Sequence, residues 1–168
     1  MNRTPFVGRR VHLMGIAGAG MSALVPLLRE VGAEVDGCDL ADSPVVGRLR
    51  AAGVPVALGH AADHADDCDI LVYTSAVPAG HVELRQAQAA GCRVLSRAAC
   101  LAELMTGTRT VAVAGSHGKT STTWMLGHLL VAAGADPVVM VGGAVDTLGH
   151  GGGRVGGSAL FVAEVDES

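Results

Sequence analysis

"VAVAGSHGKTSTTW", residues 111 to 124, decides the fold because it joins an apolar run to a helix-forming segment through a short glycine loop. Backbone N–H groups converge at a helix amino terminus, and the helix dipole favours an anion there. The common phosphate loop has the spacing GxxxxGK[ST], which would put a glycine where this chain has Val113. The spacing here is GxxGK[ST], so the stretch is either a variant nucleotide site or an ordinary tight turn.

The residue types in this loop favour phosphate binding over a plain turn. Gly115 and Gly118 permit positive φ angles and a close approach of the backbone to a ligand. We expect Lys119 to reach the β- and γ-phosphates, Thr120 to offer its hydroxyl to Mg²⁺ and Ser121 to add a donor. The alternative is a surface lysine after a glycine turn. The Gly-Lys-Thr-Ser order between a strand and a helix argues against that alternative.

A second glycine loop lies near the amino terminus, in HLMGIAGAGMSAL at 12 to 24. Its glycines, Gly15, Gly18 and Gly20, follow GxxGxG rather than the dinucleotide pattern GxGxxG. Asp39 ends the next predicted strand, where such folds place an acid that contacts a ribose. One interpretation is therefore an NAD-binding domain and an oxidoreductase, and the other is a glycine turn without a ligand.

Strand-like and helix-like segments alternate outward from these loops, which predicts an α/β fold with parallel sheets and right-handed crossovers. Predicted strands lie at 10–15, 33–39, 54–59, 69–75, 92–96, 110–115, 137–143 and 159–165. Predicted helices lie at 20–31, 43–53, 81–91, 97–105 and 119–133. For the second helix, Ser43 is the predicted cap, Pro44 the first helical residue and Gly53 the stop. The stretch TGTR at 106 to 109 breaks the alternation and predicts two domains, 1–105 and 106–168.

Composition restricts the function further. The chain has 168 residues, and 49% of them are hydrophobic, which is enough for a buried core. Its net charge of -4 argues against nucleic-acid binding. It has no 18-residue uncharged apolar run and no signal peptide, so we expect no membrane insertion. The four cysteines lack CxxC spacing, which predicts free thiols in a cytoplasmic protein and argues against zinc. We expect His12, His60 and the other histidines outside the phosphate loop to be surface or satisfied residues.

Two further segments carry expectations about order and length. Residues 142 to 157 contain eight glycines in sixteen positions, which predicts a flexible surface loop. The chain stops at EVDES, directly after a predicted strand, so we expect it to be the front portion of a longer protein.

Taken together, the motifs resemble those of the Mur ligases of peptidoglycan synthesis. The matching stretches keep the family's order: GIAGAGMS (15–22), GCDL (37–40), TSAV (74–77), RAACLAELM (97–105), AGSHGKTSTT (114–123) and AEVDES (163–168). The family's loop is the short GxxGK[ST] form. His117 lies at the position where the members that act on UDP-N-acetylmuramate itself also resemble this chain in having histidine. The resemblance implies a Rossmann-like parallel sheet domain that binds UDP, followed by the start of a P-loop-type α/β ATPase domain.

The resemblance also implies roles for individual residues. The implied ATP-binding residues are Gly115, Ser116, His117, Gly118, Lys119, Thr120 and Ser121, with Lys119 catalytic. The implied substrate-binding residues are Gly15, Ile16, Ala17, Gly18, Ala19, Gly20, Met21, Asp39, Ser75 and Arg97. The implied Mg²⁺ ligands are Thr120 and Glu164, and a carboxylate within apolar LFVAEV is costly unless it is paired or metal-bound. Two departures are Cys100, where the family has Glu, and Pro26, which should bend the first helix.

The implied reaction is an ATP-dependent ligation that joins L-alanine to the carboxylate of UDP-N-acetylmuramate through an acyl phosphate, with Mg²⁺. A relative that attaches a tripeptide to the same sugar is the nearest alternative. An NAD-dependent oxidoreductase would leave the second loop unexplained. We expect the isolated chain itself to be a UDP-sugar-binding module without catalysis.

Overall fold

The computed structural model describes residues 5–142 and 152–165, which form two β-sheets with helices between the strands. The elements of the first sheet are β1 (Arg10–Met14), α1 (Ala19–Ser22), α2 (Leu24–Glu30), β2 (Glu34–Asp39), α3 (Pro44–Ala51), β3 (Val56–Leu58), a 3₁₀ turn (Ala62–Ala65), β4 (Ile70–Tyr73), α4 (Val82–Ala89), β5 (Arg93–Ser96) and α5 (Arg97–Met105). The elements of the second are β6 (Arg109–Val113), α6 (Lys119–Ala132), β7 (Val138–Met140), β8 (Gly153–Arg154) and β9 (Leu160–Glu164).

The first sheet is parallel throughout, in the order β3-β2-β1-β4-β5. The chain runs outward in one direction from β1 to β3 and then returns to the other side of β1 with β4. This reversal creates a crevice outside the carboxyl ends of β1 and β4, which is where ligands bind in open α/β sheets. The predicted Rossmann-like arrangement is confirmed.

Helix α3 begins as the sequence predicts. Ser43 is its N-cap, with Oγ accepting a hydrogen bond from the N–H of Val46 at 3.4 Å, and Pro44 is the first helical residue. Gly53 follows the helix with φ +75°, a conformation that costs glycine little. The predicted start and stop signals are both confirmed.

The predicted helix at 20–31 is divided in two at Ala23, between α1 and α2. Pro26 lacks the N–H that would bond to the carbonyl of Ser22, and its ring would clash with that carbonyl in a continuous helix. Ser22 is the last residue of α1. The bend predicted from Pro26 is therefore a helix break one turn earlier in the chain.

The second sheet has the order β6-β9-β7-β8, with β8 antiparallel to β7 and the other pairs parallel. The expectation of a flexible loop over 142–157 is wrong for Gly153 and Arg154, which form β8. Gly153 pairs with Met140 and is buried against α2, since an added Cβ would lie 2.6 Å from the carbonyl oxygen of Ala23. Residues 143–151 of that loop, and Asp166 and Glu167 of the last motif, lie outside the described residues.

The core follows from the alternation of side chains along β1. Val11 and Leu13 face the largest buried cluster, which contains residues of α2 and continues to Met140 and Phe161 of the second sheet. His12 and Met14 point to the opposite face of the first sheet, which α4 and the 3₁₀ turn cover. Both faces of β1 are therefore covered, and its carboxyl end is left for the glycine loop.

Candidate functional site

Four segments with predicted ligand-binding residues meet at the carboxyl edge of the first sheet. The glycine loop follows β1, Asp39 ends β2, Ser75 lies in the turn after β4, and Arg97 opens α5 directly after β5. Parallel strands present their carboxyl ends at one edge, so residues distant in sequence are brought into one crevice.

The glycine loop folds tightly against the end of β2. The N–H groups of Gly15 and Ile16 both donate to the carbonyl of Cys38, at 2.8 and 3.0 Å. Gly15 has φ +69°, and the N–H of Gly18 donates to its carbonyl at 3.0 Å. The side chains of Ile16 and Met21 are buried in the core, so only their backbone atoms are placed to face a ligand.

Asp39 and Arg97 contact this loop from two sides. Asp39 accepts hydrogen bonds from the N–H of Ala17 at 3.0 Å and from that of Ala41 at 3.2 Å, so its carboxylate buttresses the loop. The guanidinium of Arg97 lies over Gly20, where an added Cβ would be 3.1 Å from a guanidinium nitrogen. A glycine at 20 leaves room for that cation, and a planar guanidinium suits the paired oxygens of a diphosphate.

The phosphate loop connects β6 to α6. Gly118 is the N-cap of α6 in the left-handed conformation, φ +77°, and within the described residues no side chain caps this helix end. The ammonium of Lys119 folds back to the carbonyl of Gly115, with Nζ 2.7 Å from the oxygen. This contact holds the lysine against the loop without neutralising its charge. Uncapped N–H groups and a lysine cation are the two features that phosphate binding needs.

Glu164 lies beside the start of this loop, because β9 pairs with β6 in a register that sets Glu164 opposite Val113. Its Oε2 is buried and has no hydrogen-bond partner among the described residues. Its Oε1 lies against the backbone of Gly142, where any Cβ would overlap it. A buried, unsatisfied carboxylate oxygen is costly unless a cation compensates it, and oxygen ligands suit Mg²⁺. The residues present therefore fit a bound Mg²⁺, with Thr120 in the first turn of α6 as the second proposed protein ligand.

Two further positions singled out in the sequence differ in their surroundings. Ser75 is exposed in the turn after β4, on the same edge as the loop. Cys100, at the position where the resemblance expects a glutamate, is fully buried in the core on α5. This side chain therefore packs the core, and the same burial raises the pKa of its thiol to about 12.

Two glycines that give the loops their shape were not predicted as functional from the sequence. Gly37 lies in β2, where an added Cβ would be 2.5 Å from the carbonyl oxygen of Leu13 and 2.8 Å from Cδ1 of Ile16. Gly142 leaves the space that Glu164 occupies. A glycine inside or just after an apolar strand marks a close approach of other atoms, and that signal was available at both positions. Thr123, whose buried hydroxyl has no partner among the described residues, gave no sequence signal.

Comparison with known proteins gives matches over nearly the whole chain. Residues 10–109 match the family model described as Mur ligase family, catalytic domain. A UDP-N-acetylmuramate–L-alanine ligase of Sorangium cellulosum is 47% identical over 160 residues, which is 95% of this chain and 34% of that protein. The same-named protein of Kineococcus radiotolerans is 51% identical over 162 residues, again 95% and 34%. The chain therefore spans about a third of the length of these curated relatives.

Solved structures with the same fold carry related names. The crystal structure of the UDP-N-acetylmuramate-alanine ligase from Thermotoga maritima superposes with a TM-score of 0.88 at 31% identity, covering 95% of this chain and 37% of that one. The UDP-N-acetylmuramate:L-alanyl-gamma-D-glutamyl-meso-diaminopimelate ligase from Neisseria meningitides gives 0.86 at 30% identity, covering 96% and 53%. In the described part of this chain, no helix is both long enough and apolar enough to cross a bilayer.

Proposed function

The chain belongs to the Mur ligase family, and from this we propose that it carries the UDP-sugar site and the ATP loop of a ligase that joins L-alanine to UDP-N-acetylmuramate. One observation supports this more than any other. The first glycine loop is contacted by Asp39 and Arg97, and the second lies beside Glu164, whose Oε2 is buried and has no hydrogen-bond partner among the described residues. We propose residues 1–105 and 106–168 as the two domains that carry these loops.

The first loop is suited to a nucleotide diphosphate. Backbone N–H groups of residues 15–21 would face the diphosphate oxygens, with the guanidinium of Arg97 supplying positive charge. Asp39 would accept from a ribose hydroxyl with the lone pairs that Ala17 and Ala41 leave free, and Ser75 would close the crevice beyond β4. We place the reaction in the cytoplasm, where ATP and nucleotide sugars are found.

The second loop is suited to the triphosphate tail of ATP. Residues 115–121 would surround the phosphates with backbone donors, and Lys119 would exchange the carbonyl of Gly115 for a phosphate oxygen. Thr120 and Glu164 would hold Mg²⁺, which supplies charge neutralisation for the transferred phosphoryl group. The proposed catalytic role of Lys119 is to stabilise the charge that spreads over that group in the transition state.

In the proposed reaction, the carboxylate of UDP-N-acetylmuramate attacks the γ-phosphorus of ATP, and ADP leaves. The amine of L-alanine then attacks the acyl phosphate carbon, phosphate leaves, and the amine gives up a proton. The residues of this chain contribute the positioning of the two substrates. The curated relatives named for L-alanine are 47% and 51% identical to it, which favours L-alanine as the acceptor over the peptide of the second solved structure.

The test uses protein expressed from the complete reading frame, supplied with UDP-N-acetylmuramate, ATP and Mg²⁺. Phosphate release is measured with L-alanine and, in a parallel reaction, with the tripeptide L-alanyl-γ-D-glutamyl-meso-diaminopimelate. We expect release that depends on L-alanine and on the sugar. Release with the tripeptide alone would show that the acceptor is assigned wrongly. Titration with NADH is the control for an oxidoreductase, and NADH binding without any ligation would overturn the proposal.

A further inference from the structure

A group of polar side chains lies beneath the first glycine loop, on the face of the sheet covered by α4 and the 3₁₀ turn. We call it the His–Cys–Glu cluster, and its members are His12 on β1, Cys38 on β2, His64 on the 3₁₀ turn and Glu83 on α4. One ligand atom from each of the four lies within 4.8 Å of all the others. Three members are buried, and His64 is half-buried. Four residues from four elements therefore converge on a single point.

The distances from Cys38 to His12 and Glu83 match those between neighbouring ligands of a tetrahedral metal site, and His64 lies closer to Glu83, at hydrogen-bond distance. Nε2 of His12 is 3.4 Å from Sγ of Cys38, and that sulfur is 3.4 and 3.5 Å from the carboxylate oxygens of Glu83. Nδ1 of His64 is 2.9 Å from Oε1 of Glu83. In tetrahedral zinc sites, zinc–nitrogen and zinc–oxygen bonds of about 2.0–2.1 Å and a zinc–sulfur bond of about 2.3 Å separate neighbouring ligands by about 3.3–3.6 Å.

Neighbouring groups hold the proposed ligands in position through hydrogen bonds, as the partners of ligating side chains do in metal sites. The carboxylate of Asp36 lies 2.6 Å from Nδ1 of His12, so Nδ1–H donates to Asp36 and the lone pair of Nε2 faces the sulfur. The N–H of Ala61 donates to Oε1 of Glu83 at 2.9 Å. Nδ1 of His60 lies 3.2 Å from the sulfur of Cys38, completing the enclosure on that side. A carboxylate on the far nitrogen of a ligating histidine fixes its tautomer and raises its basicity.

The charges of the His–Cys–Glu cluster match a divalent cation. Glu83 is an acidic side chain with no exposed surface, and its Oε1 accepts from the N–H of Ala61. A thiolate at Cys38 and this carboxylate would together balance a 2+ ion, with two neutral imidazoles completing the shell.

We propose that His12, Cys38, His64 and Glu83 bind one Zn²⁺ ion in a closed, structural site. Four protein ligands of nitrogen, sulfur and oxygen leave no open position, which distinguishes a structural zinc from a catalytic one. The ion would fasten α4 and the 3₁₀ turn to the two strands that support the glycine loop, because the carbonyl of Cys38 accepts from Gly15 and Ile16. The site is separate from the proposed phosphate loop and does not depend on the proposed function.

The sequence argued against zinc because no two cysteines have CxxC spacing. That rule detects only ligand pairs that are close in the chain. These four ligands are separated by 26, 26 and 19 positions (12 to 38, 38 to 64, 64 to 83), so only the parallel sheet brings them together.

The test measures metal in the protein expressed from its complete reading frame. After chelator treatment and buffer exchange, ZnCl₂ is titrated against a competing zinc indicator, and CoCl₂ is added to a second sample. We expect one zinc per chain, and a cobalt spectrum with a thiolate-to-metal charge-transfer band and the intense visible bands of four-coordination. Cys38→Ser should remove the charge-transfer band. Cys38→Ser and His64→Asn should each weaken zinc binding by about 100-fold or more, and Asp36→Asn by about 10- to 100-fold.

Matched controls change the same residue types outside the His–Cys–Glu cluster. Cys100→Ser alters a buried thiol on α5, and His128→Asn alters a half-buried imidazole on α6. Both should bind zinc as the unchanged protein does. The cobalt spectrum of the unchanged protein requires no variant to fold. Absence of stoichiometric binding, a spectrum without the thiolate band, or equal losses in the controls would each overturn the proposal and leave a hydrogen-bonded network in its place.

Discussion

The two sheets use the same local design, a strand followed by a glycine loop and a helix, in different surroundings. In the first sheet the strand is β1, which lies in the centre and is buried at every position after Arg10. In the second sheet the strand is β6, which is an edge strand and is exposed from Arg109 to Ala112. A glycine loop in a parallel sheet obtains its partner residues from the strands on both sides. The first loop has both neighbours, and among the described residues the second has one.

The side chains around each loop reflect this difference. The first loop contacts Asp39 from β2 and Arg97 from beyond β5. Beside the second loop, Glu164 comes from β9 alone, and Val111 and Leu129 remain 39% and 69% exposed. The first loop therefore has contacting side chains from both neighbouring parts of its sheet, and the second has Glu164 on one side only.

The largest expected effect distinguishes the chemistry of the two loops. Lys119→Ala in protein from the complete reading frame should lower kcat by about 1,000-fold or more, because it removes the cation that meets the developing phosphoryl charge. Binding of UDP-N-acetylmuramate, measured by calorimetry, should be unchanged because the first loop is untouched. Unaltered turnover would show that the second loop is not the ATP site.

The next effect compares the stability of the two strands. Leu13→Ala in β1 removes a fully buried side chain and should lower the free energy of unfolding by about 2–5 kcal/mol. The matched change Val111→Ala in β6 should cost less than about 1 kcal/mol, because that side chain is already partly in water. Urea unfolding followed by circular dichroism measures both. Similar losses would mean that β6 is covered in solution.

A smaller effect concerns the cation over the first loop. Arg97→Ala should weaken binding of UDP-N-acetylmuramate by about 10- to 100-fold, the value of a charge-assisted hydrogen bond to a diphosphate. Arg93→Ala is the matched control, since Arg93 lies on β5 and pairs with Glu103 instead. ATP binding should stay the same in both variants. If Arg97→Ala and Arg93→Ala bind the sugar equally well, Arg97 has no contact with it.

The smallest effect is a pH dependence shared by the two sheets. The backbone N–H of Arg10 holds the pKa of Asp69 below its usual value in the first sheet, and the guanidinium of Arg154 does the same for Asp136 in the second. A lowered folded-state pKa contributes stability that is present above the unfolded value and is lost as the pH falls through the folded one. Asp136 is exposed and Asp69 is partly exposed, so the effect is small.

For each of these aspartates, the test is unfolding in urea at pH 5 and at pH 3. Asp69→Asn and Asp136→Asn should each reduce the loss of stability between these two pH values, which lie on either side of the ordinary aspartate pKa of about 3.9. A steeper loss in either variant would reverse the sign and contradict the assigned contacts.

Much of the fold could be predicted because its signals are local. The alternation of apolar strands and amphipathic helices, the Ser43 cap and the Gly53 stop each depend on residues a few positions apart. The glycine loop between β6 and α6 was predicted for the same reason, since strand, glycine and lysine are adjacent in the sequence. β8 was missed because it is short and begins with Gly153, a residue of low β propensity, and only pairing with β7 and packing on α2 make it a strand.

The remaining parts depend on contacts that the sequence does not display. Arg97 lies over Gly20 only because α5 begins at the carboxyl end of β5, at the same edge of the sheet as the crevice. Glu83 drew no attention on its helix, although Leu84 and Ala87 share its buried face, and a carboxylate on that face was the available signal. The sequence indicated surface or satisfied positions for the histidines around it, because they are far apart in the chain. Only the folded sheet brings His12 and His64 together.

The central claim is that the two glycine loops hold two different nucleotides at the same time. Calorimetric titration of UDP-N-acetylmuramate into protein already saturated with ATP and Mg²⁺, and the reverse titration, test it directly. We expect one site for each ligand, with each binding curve retained in the presence of the other. Competition between them for one site, or no heat from either, would contradict it.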